Sequence, residues 1–264
     1  MFPTILVVLM IFFLTVVMIM SGRGGGNFYV IALVLSGIPI HTASTTSQFI
    51  LLSSALSGAL IFGKARTLSW PLVFFFGGLN SLMAFVGGFE AHRFSGLALK
   101  IVLSVVLGIA GISMLFPEKE APKPATSRFG YWNIVEGESR YVINLWLAVP
   151  LTLATGLFSG MVGISGGSFL IPLMVVGCGV AMRTAVGTAT AMLGATAFTG
   201  FAGHALHGEF DPALAIPCGV VAIVGGLLGG RIALKTKPKK LKTISGILTM
   251  VAAMIMMGNA LAGN

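Results

Sequence analysis

Two glycine-rich stretches carry the residue types best suited to holding a ligand. "SGRGGGN" (residues 21–27) places four glycines around one arginine directly after the first apolar run, and "GISGGS" (163–168) interrupts a later one. Glycine adopts positive φ and brings no side chain, so successive backbone N–H groups can converge on one bound group. Each stretch precedes a short apolar segment, residues 28–35 or 169–176. A helix starting there exposes N–H groups that have no internal partner and carry partial positive charge, an arrangement that favours an anion. Arg23, Gly24, Gly25, Gly26 and Asn27 form one candidate cradle; Ser165, Gly166, Gly167 and Ser168 form the other. The competing reading is that the glycines only let helices approach closely.

The long apolar segments that follow begin "HTASTTSQ" (41–48) and "RTAVGTAT" (183–190). Thr42 and Thr46 lie one helical turn apart, as do Thr184 and Thr188, so each pair shares a face. Their hydroxyls are candidate substrate donors, although the same groups also cap helices and bond to backbone. His41 and Arg183 stand at matching positions and read either as charges that draw anions to the two mouths of a path or as interfacial anchors. Arg23 likewise has two readings: a ligand contact, or an edge residue whose head snorkels to the surface. Gln48 and Asn80 are expected to satisfy backbone carbonyls. Cys178 and Cys218 lack ligand spacing and read as packing residues. No apolar segment holds an Asp or Glu near its centre, and no phosphate-binding loop, metal cluster or nucleophile–base pair is present. What the sequence offers is neutral donors and cations. That chemistry binds an anion and calls for no catalysis, metal or cofactor.

These residues need a scaffold, and the composition says which kind. The 264 residues are 56% hydrophobic and 9% charged, with a mean hydropathy of +1.00. A soluble domain carries about 25% charged residues. Several uncharged windows reach the roughly 20 residues a helix needs to cross hydrocarbon. The net charge of +9 comes largely from lysines between apolar segments, densest in "KTKPKKLK" (235–242). Such a cluster is a cytoplasmic loop lying against anionic lipid rather than a nucleic-acid surface. The expected class is an all-α polytopic membrane protein with about eight long transmembrane helices, over residues 2–20, 42–62, 70–89, 97–116, 141–161, 184–204, 212–234 and 243–261. The two short segments are expected as re-entrant half-helices. In "GGLLGGR" (225–231), the small-xxx-small pairs Gly225/Gly229 and Gly226/Gly230 predict tight helix contacts.

The order long, glycine break, short, long, long, long occurs twice. Aligning the two copies brings Gly25–Gly26 onto Gly166–Gly167, Phe28 onto Phe169, Thr42 onto Thr184 and Thr46 onto Thr188. The expected organisation is a first repeat over 1–116, a cytoplasmic linker over 117–140 and a second repeat over 141–264. With the lysine-rich loop inside, the equivalent loops "GKARTLS" (63–69) and "HGEFD" (207–211) fall on opposite sides, so the repeats are inverted and both termini lie outside. Inverted repeats with broken helices are the pattern of secondary transporters, whose substrate site sits near the midplane.

The segment "GLFSGMVGISGGSFLIPLMV…RTAVGTATAML" (156–193) resembles the second-repeat signature of the TauE/SafE sulfite exporter family, and "SGRGGGNFYVIALV…HTASTTSQ" resembles its degenerate first copy. The resemblance implies a prokaryotic inner-membrane permease for sulfite, thiosulfate, sulfoacetate or a related organosulfonate, with Gly25, Gly26, Thr42, Thr46, Gly166, Gly167, Thr184 and Thr188 at motif positions. The chain departs from the pattern at Ser165, Ile31 and Ala189. Alternating-access transport is the leading expectation; an anion channel and a non-transporting membrane subunit are the alternatives. The lipid bilayer, the anion and a second copy of the chain are the partners considered.

Overall fold

A computed structural model of the chain describes residues 4–22, 24–115, 129–136, 139–164, 166–208 and 210–237. Near the C-terminus it describes 250–251, 254–255, 257–258 and 261. Helices α1 (Thr4–Met20), α2 (Gly26–Leu35) and α3 (Ile40–Lys64) open the chain. The next span is composite: α4 (Trp70–Leu72), a π-helical turn (Val73–Gly77), α5 (Gly78–Glu90) and a 3-10 turn (Ala91–Arg93). Helix α6 (Gly96–Leu115) follows. After a hairpin of β1 (Tyr131–Glu136) and β2 (Ser139–Asn144) come α7 (Leu145–Val162) and α8 (Gly167–Pro172). A second π-helical turn (Leu173–Gly177), α9 (Met182–Ala205) and α10 (Pro212–Lys235) complete the described elements. Among the described residues, five helices are long and apolar enough to cross a membrane: α3, the Trp70–Arg93 span, α7, α9 and α10. In hydrocarbon a backbone must bond within its own segment, and a helix alone does that without a neighbour.

The two short segments expected from sequence correspond to α2 and to α8 with its π-helical turn. At ten residues, α2 rises about 15 Å, roughly half the hydrocarbon thickness. The last expected long span, 243–261, and residues 117–128 of the expected linker lie mostly or wholly outside the described residues.

The linker expectation needs one correction. Its described part is an antiparallel hairpin, in register from Tyr131↔Asn144 to Glu136↔Ser139. Residues 141–144 therefore belong to a strand, and the helix expected from 141 starts at Leu145. The cause is an alternating pattern of aromatic and β-branched residues. On one face of the hairpin Ile134, Tyr141 and Ile143 are buried, and they join Leu72, Phe76, Met174 and Met192 in a single apolar cluster. Trp132, on the same face, packs edge-on against Phe75 at 5.2 Å.

Helices α3 and α9 pack against each other at the centre and run antiparallel. A β-carbon built on Gly200 would lie 2.7 Å from Gln48 Nε2, one on Gly194 3.8 Å from Ala55 Cβ, and one on Gly58 3.1 Å from Thr190 Cγ2. Helix α10 packs on α3 and α1, and α5 packs on α9 and α7. Small residues set these distances. Gly225 and Gly229 face Thr15 and Val16 of α1, whereas Gly226 and Gly230 face Ser54, Ser57 and Ile61 of α3. Lipid tails are as apolar as leucine, so close backbone approach rather than water exclusion holds such helices together.

Candidate functional site

Helix α7 ends inside the molecule, where its last carbonyls have no helical partner. Helix α3 supplies donors to two of these and a further one to Ser159 O, which also accepts the Gly163 and Ile164 N–H groups. Ser44 Oγ donates to Val162 O at 2.9 Å, Ser47 Oγ to Gly163 O at 2.8 Å, and Gln48 Nε2 to Ser159 O at 2.9 Å. Ser44, Ser47 and Gln48 are spaced i, i+3, i+4 and so project from one face. Gly163 turns the chain away with φ +73°, the left-handed cap conformation that glycine tolerates best. A β-carbon on Gly163 would lie 2.6 Å from Ser44 Cα.

The other break is shaped mainly by its own backbone. Gly24 is buried at φ +63°, and Gly25 caps α2 with no side-chain hydrogen bond. Gly25 O accepts from the N–H groups of Phe28 and Tyr29, each at 2.9 Å. A β-carbon on Gly25 would run into the ring of Tyr29, whose hydroxyl donates to Thr15 Oγ1 at 2.8 Å. Asn27 is buried in the first turn of α2.

One hydroxyl joins the two breaks. Besides Gly163 O, Ser47 Oγ donates to Gly26 O at 3.0 Å, so the end of α7 and the start of α2 meet at a single side chain. The second break has its own polar neighbour. Asn80 is fully buried; its Nδ2 donates to Thr196 Oγ1 at 2.8 Å, and its Oδ1 accepts from Thr155 Oγ1 at 3.2 Å. A β-carbon on Gly166 would lie 3.2 Å from that Nδ2.

The remaining candidates are distributed unevenly. Arg23 and Ser165 lie outside the described residues, as does the side chain of Ser168. Gly166 and Gly167 are buried at the start of α8. Thr188 Oγ1 accepts the N–H of Ser69 at 3.0 Å and thereby closes the connection between α3 and α4. Its counterpart Thr46 is fully buried, and its hydroxyl has no hydrogen-bond partner among the described residues. Thr42 and His41 are half-buried in the first turn of α3. Thr184, also half-buried, lines a cavity of about 580 Å³ at the start of α9, beside Arg66 and Tyr141. Arg183 Nη2 donates to Leu234 O at 3.1 Å, which places its cation at the C-terminal end of α10, where the helix dipole favours it.

Sequence reasoning fastened on the threonines and passed over Ser44 and Ser47, which lie in the same eight residues. The i, i+3, i+4 spacing of Ser44, Ser47 and Gln48 was the available signal. Gln48 does satisfy a carbonyl as expected, whereas Asn80 bonds to two threonine hydroxyls instead. Among the described residues, both breaks are lined by backbone and neutral side chains.

Sequence comparison with known proteins gives a family for the chain. Residues 7–256 match the family model described as "Sulfite exporter TauE/SafE". The chain is 24% identical over 243 residues to the probable membrane transporter protein YunE of Bacillus subtilis (strain 168), covering 87% of this chain and 88% of that one. To the probable membrane transporter protein YdhB of the same organism it is 25% identical over 230 residues, covering 86% and 89%. A probable membrane transporter protein of Xylella fastidiosa (strain 9a5c) is 22% identical over 236 residues, covering 87% and 86%. No solved structure matches the chain at a significant level.

Proposed function

The chain belongs to the TauE/SafE sulfite exporter family, a multi-pass membrane transporter family, and from that premise we propose that it is a secondary transporter for a small sulfur-containing anion. Sulfite, thiosulfate, sulfoacetate and related organosulfonates are the substrates proposed, carried across a prokaryotic plasma (inner) membrane by alternating access, without catalysis or cofactor. The observation that carries this reading is the bifurcated hydrogen bond from Ser47 Oγ, whose one proton is shared between Gly26 O and Gly163 O. It brings both glycine breaks to one place in the protein interior, each leading into a short helix whose first N–H groups point back toward it. A pyramidal or tetrahedral oxyanion accepts several such bonds at once, which replaces the hydration it loses.

The proposed inverted repeats, with halves at 1–116 and 141–264, draw support from reciprocal contacts. Under the alignment that pairs Thr46 with Thr188, Gly22 against Val186 has its counterpart in Gly163 against Ser44. Gln48 against Gly200 is matched by Thr190 against Gly58, and Gly229 against Val16 by Gly87 against Leu157. A two-fold axis in the membrane plane produces such a set and makes the equivalent helices α3 and α9 antiparallel. With the lysine-rich loop on the cytoplasmic side, both termini lie outside.

Flux of labelled sulfite, thiosulfate and sulfoacetate in proteoliposomes tests the proposal. Saturable flux with counterflow of at least one is expected. A continuous anion current without counterflow would mean a channel, and no flux of any of the three would defeat the reading.

A further inference from the structure

The cavity of about 580 Å³ beside the start of α9 lies apart from the residues that join the glycine breaks. Its volume falls within the roughly 300–1,000 Å³ of small-molecule sites. The connection from α3 to α4 contributes Arg66, the start of α4 contributes Trp70, the hairpin contributes Glu136 and Tyr141, and α9 contributes Thr184.

Four of these side chains carry polar groups that bond to nothing else among the described residues. Tyr141 is 4% exposed, yet its hydroxyl has no hydrogen-bond partner and it lines the cavity. A hydroxyl that makes no bond to a described residue and opens onto a cavity is available to a ligand there. The Thr184 hydroxyl is likewise unpartnered. Arg66 and Glu136 line the same cavity and form no ion pair with each other or with any described residue. Glu136 shares the inward face of the hairpin with Ile134 and Tyr141, so its carboxylate is held at the cavity by a packed strand. Arg66 also has the only positive φ of any described residue other than glycine, at 54°. That conformation closes the C-terminal turn of α3, where the Thr67 N–H bonds to Phe62 O and the Arg66 N–H to Gly63 O, and it turns the chain toward the cavity.

We infer that this cavity is a capture site for a small oxyanion at the mouth of the transport path on the hairpin side. Arg66 supplies the charge, Tyr141 and Thr184 supply hydroxyl donors, and Glu136 weakens the grip by repulsion so that the anion can leave. The inference rests on reading the chain as an anion transporter. A carboxylate facing the bound anion separates this site from a storage site, because release matters as much as capture.

Trp70 lines the cavity and serves as a reporter once Trp132 and Trp146 are replaced by Phe. Titrating that purified variant with sulfite should give a saturable change in Trp70 fluorescence. Arg66→Asn, which removes the cation while keeping a residue that tolerates positive φ, should weaken binding about tenfold, the low end for a charge-assisted hydrogen bond. Arg66→Lys should restore most of it. Tyr141→Phe should weaken it several-fold, and Glu136→Gln should strengthen it. The Arg66 effect should shrink at high salt, because a charge at a solvent-open mouth is screened. Equal sulfite affinity in Arg66→Asn and its parent, with sulfite flux intact, would overturn the capture site alone. Absence of flux for every sulfur anion in the unmodified protein would overturn the transport reading instead.

Discussion

Thr46→Val offers the sharpest test, because it should raise stability and lower function together. Thr46 is fully buried and its hydroxyl has no partner among the described residues. Valine matches its shape and removes only the polar group. An unsatisfied buried hydroxyl costs on the order of 1–3 kcal/mol, so the substitution should stabilise the empty protein by up to about 2 kcal/mol. For a chain of this size that is a rise of about 2–4 °C in melting temperature. If the hydroxyl donates to the bound anion, its loss removes a hydrogen bond to a charged group, about 1.5–3 kcal/mol. KM should then rise roughly ten- to hundredfold. Thr188→Val is the matched control, since its oxygen accepts the N–H of Ser69 at 3.0 Å. It should lower the melting temperature by a similar amount and change KM little. Melting can be followed with a thiol-reactive dye, because Cys178 and Cys218 are both free and buried. Flux in proteoliposomes gives KM. A Thr46→Val protein with wild-type KM would show that the lone hydroxyl is a packing feature with no part in binding.

Ser47→Ala should raise KM about fivefold and lower the melting temperature by about 2–4 °C, since Gly26 O and Gly163 O lose a shared donor. Ser44→Ala removes only the bond to Val162 O; its melting temperature should fall comparably while KM stays unchanged. Gly160→Ala should prevent assembly of α7 on α5, because the new β-carbon would overlap the carbonyl of Ala84, whereas Gly108→Ala meets nothing within 4 Å and should be neutral or slightly stabilising; monodispersity on size exclusion reads both. Asn80→Leu should destabilise by about 2–3 kcal/mol through loss of its bonds to Thr155 and Thr196, measured as a lower melting temperature.

Much of the helical scaffold was legible because a bilayer imposes a simple rule on sequence: long uncharged runs must be helices. The short segments were legible for the same reason, since ten residues cannot span. The glycines of 225–230 announced their contacts through spacing alone. The hairpin escaped notice because it sits in a charged stretch, where the eye goes to Lys and Glu and not to the alternation of Trp132, Ile134, Tyr141 and Ile143. The two π-helical turns carry no sequence signal comparable to a span or a cap. The site was half legible. Gly25, Gly26, Gly166 and Gly167 stood out as a repeated pair, yet the serine that joins the breaks is the seventh residue of an eight-residue stretch in which only Ala43 is apolar. Which of those eight faces the break depends on how α3 is rotated against α7, and rotation is set by packing with residues more than a hundred positions away.

On the inverted-repeat reading proposed above, the scaffold is symmetric but its polar ties are not. Ser44, Ser47 and Gln48 clamp the end of α7, whereas the matching positions on α9 are Val186, Ala189 and Thr190. Val186 gives Gly22 only van der Waals contact, and Thr190 Oγ1 bonds within its own helix, to Val186 O at 2.9 Å. Alternating access between symmetric halves would make the two facing states equal in energy; unequal ties remove that equality. Each net hydrogen bond contributes about 1 kcal/mol, so breaking all three in the exchange would bias the empty protein toward one state by about a hundredfold. Substrate then drives transport only by binding the disfavoured arrangement better than the clamped one. On the anion-transport reading, the backbone and hydroxyl donors of the breaks suit that requirement, because several weak bonds to an oxyanion can be regained as a set when the geometry shifts.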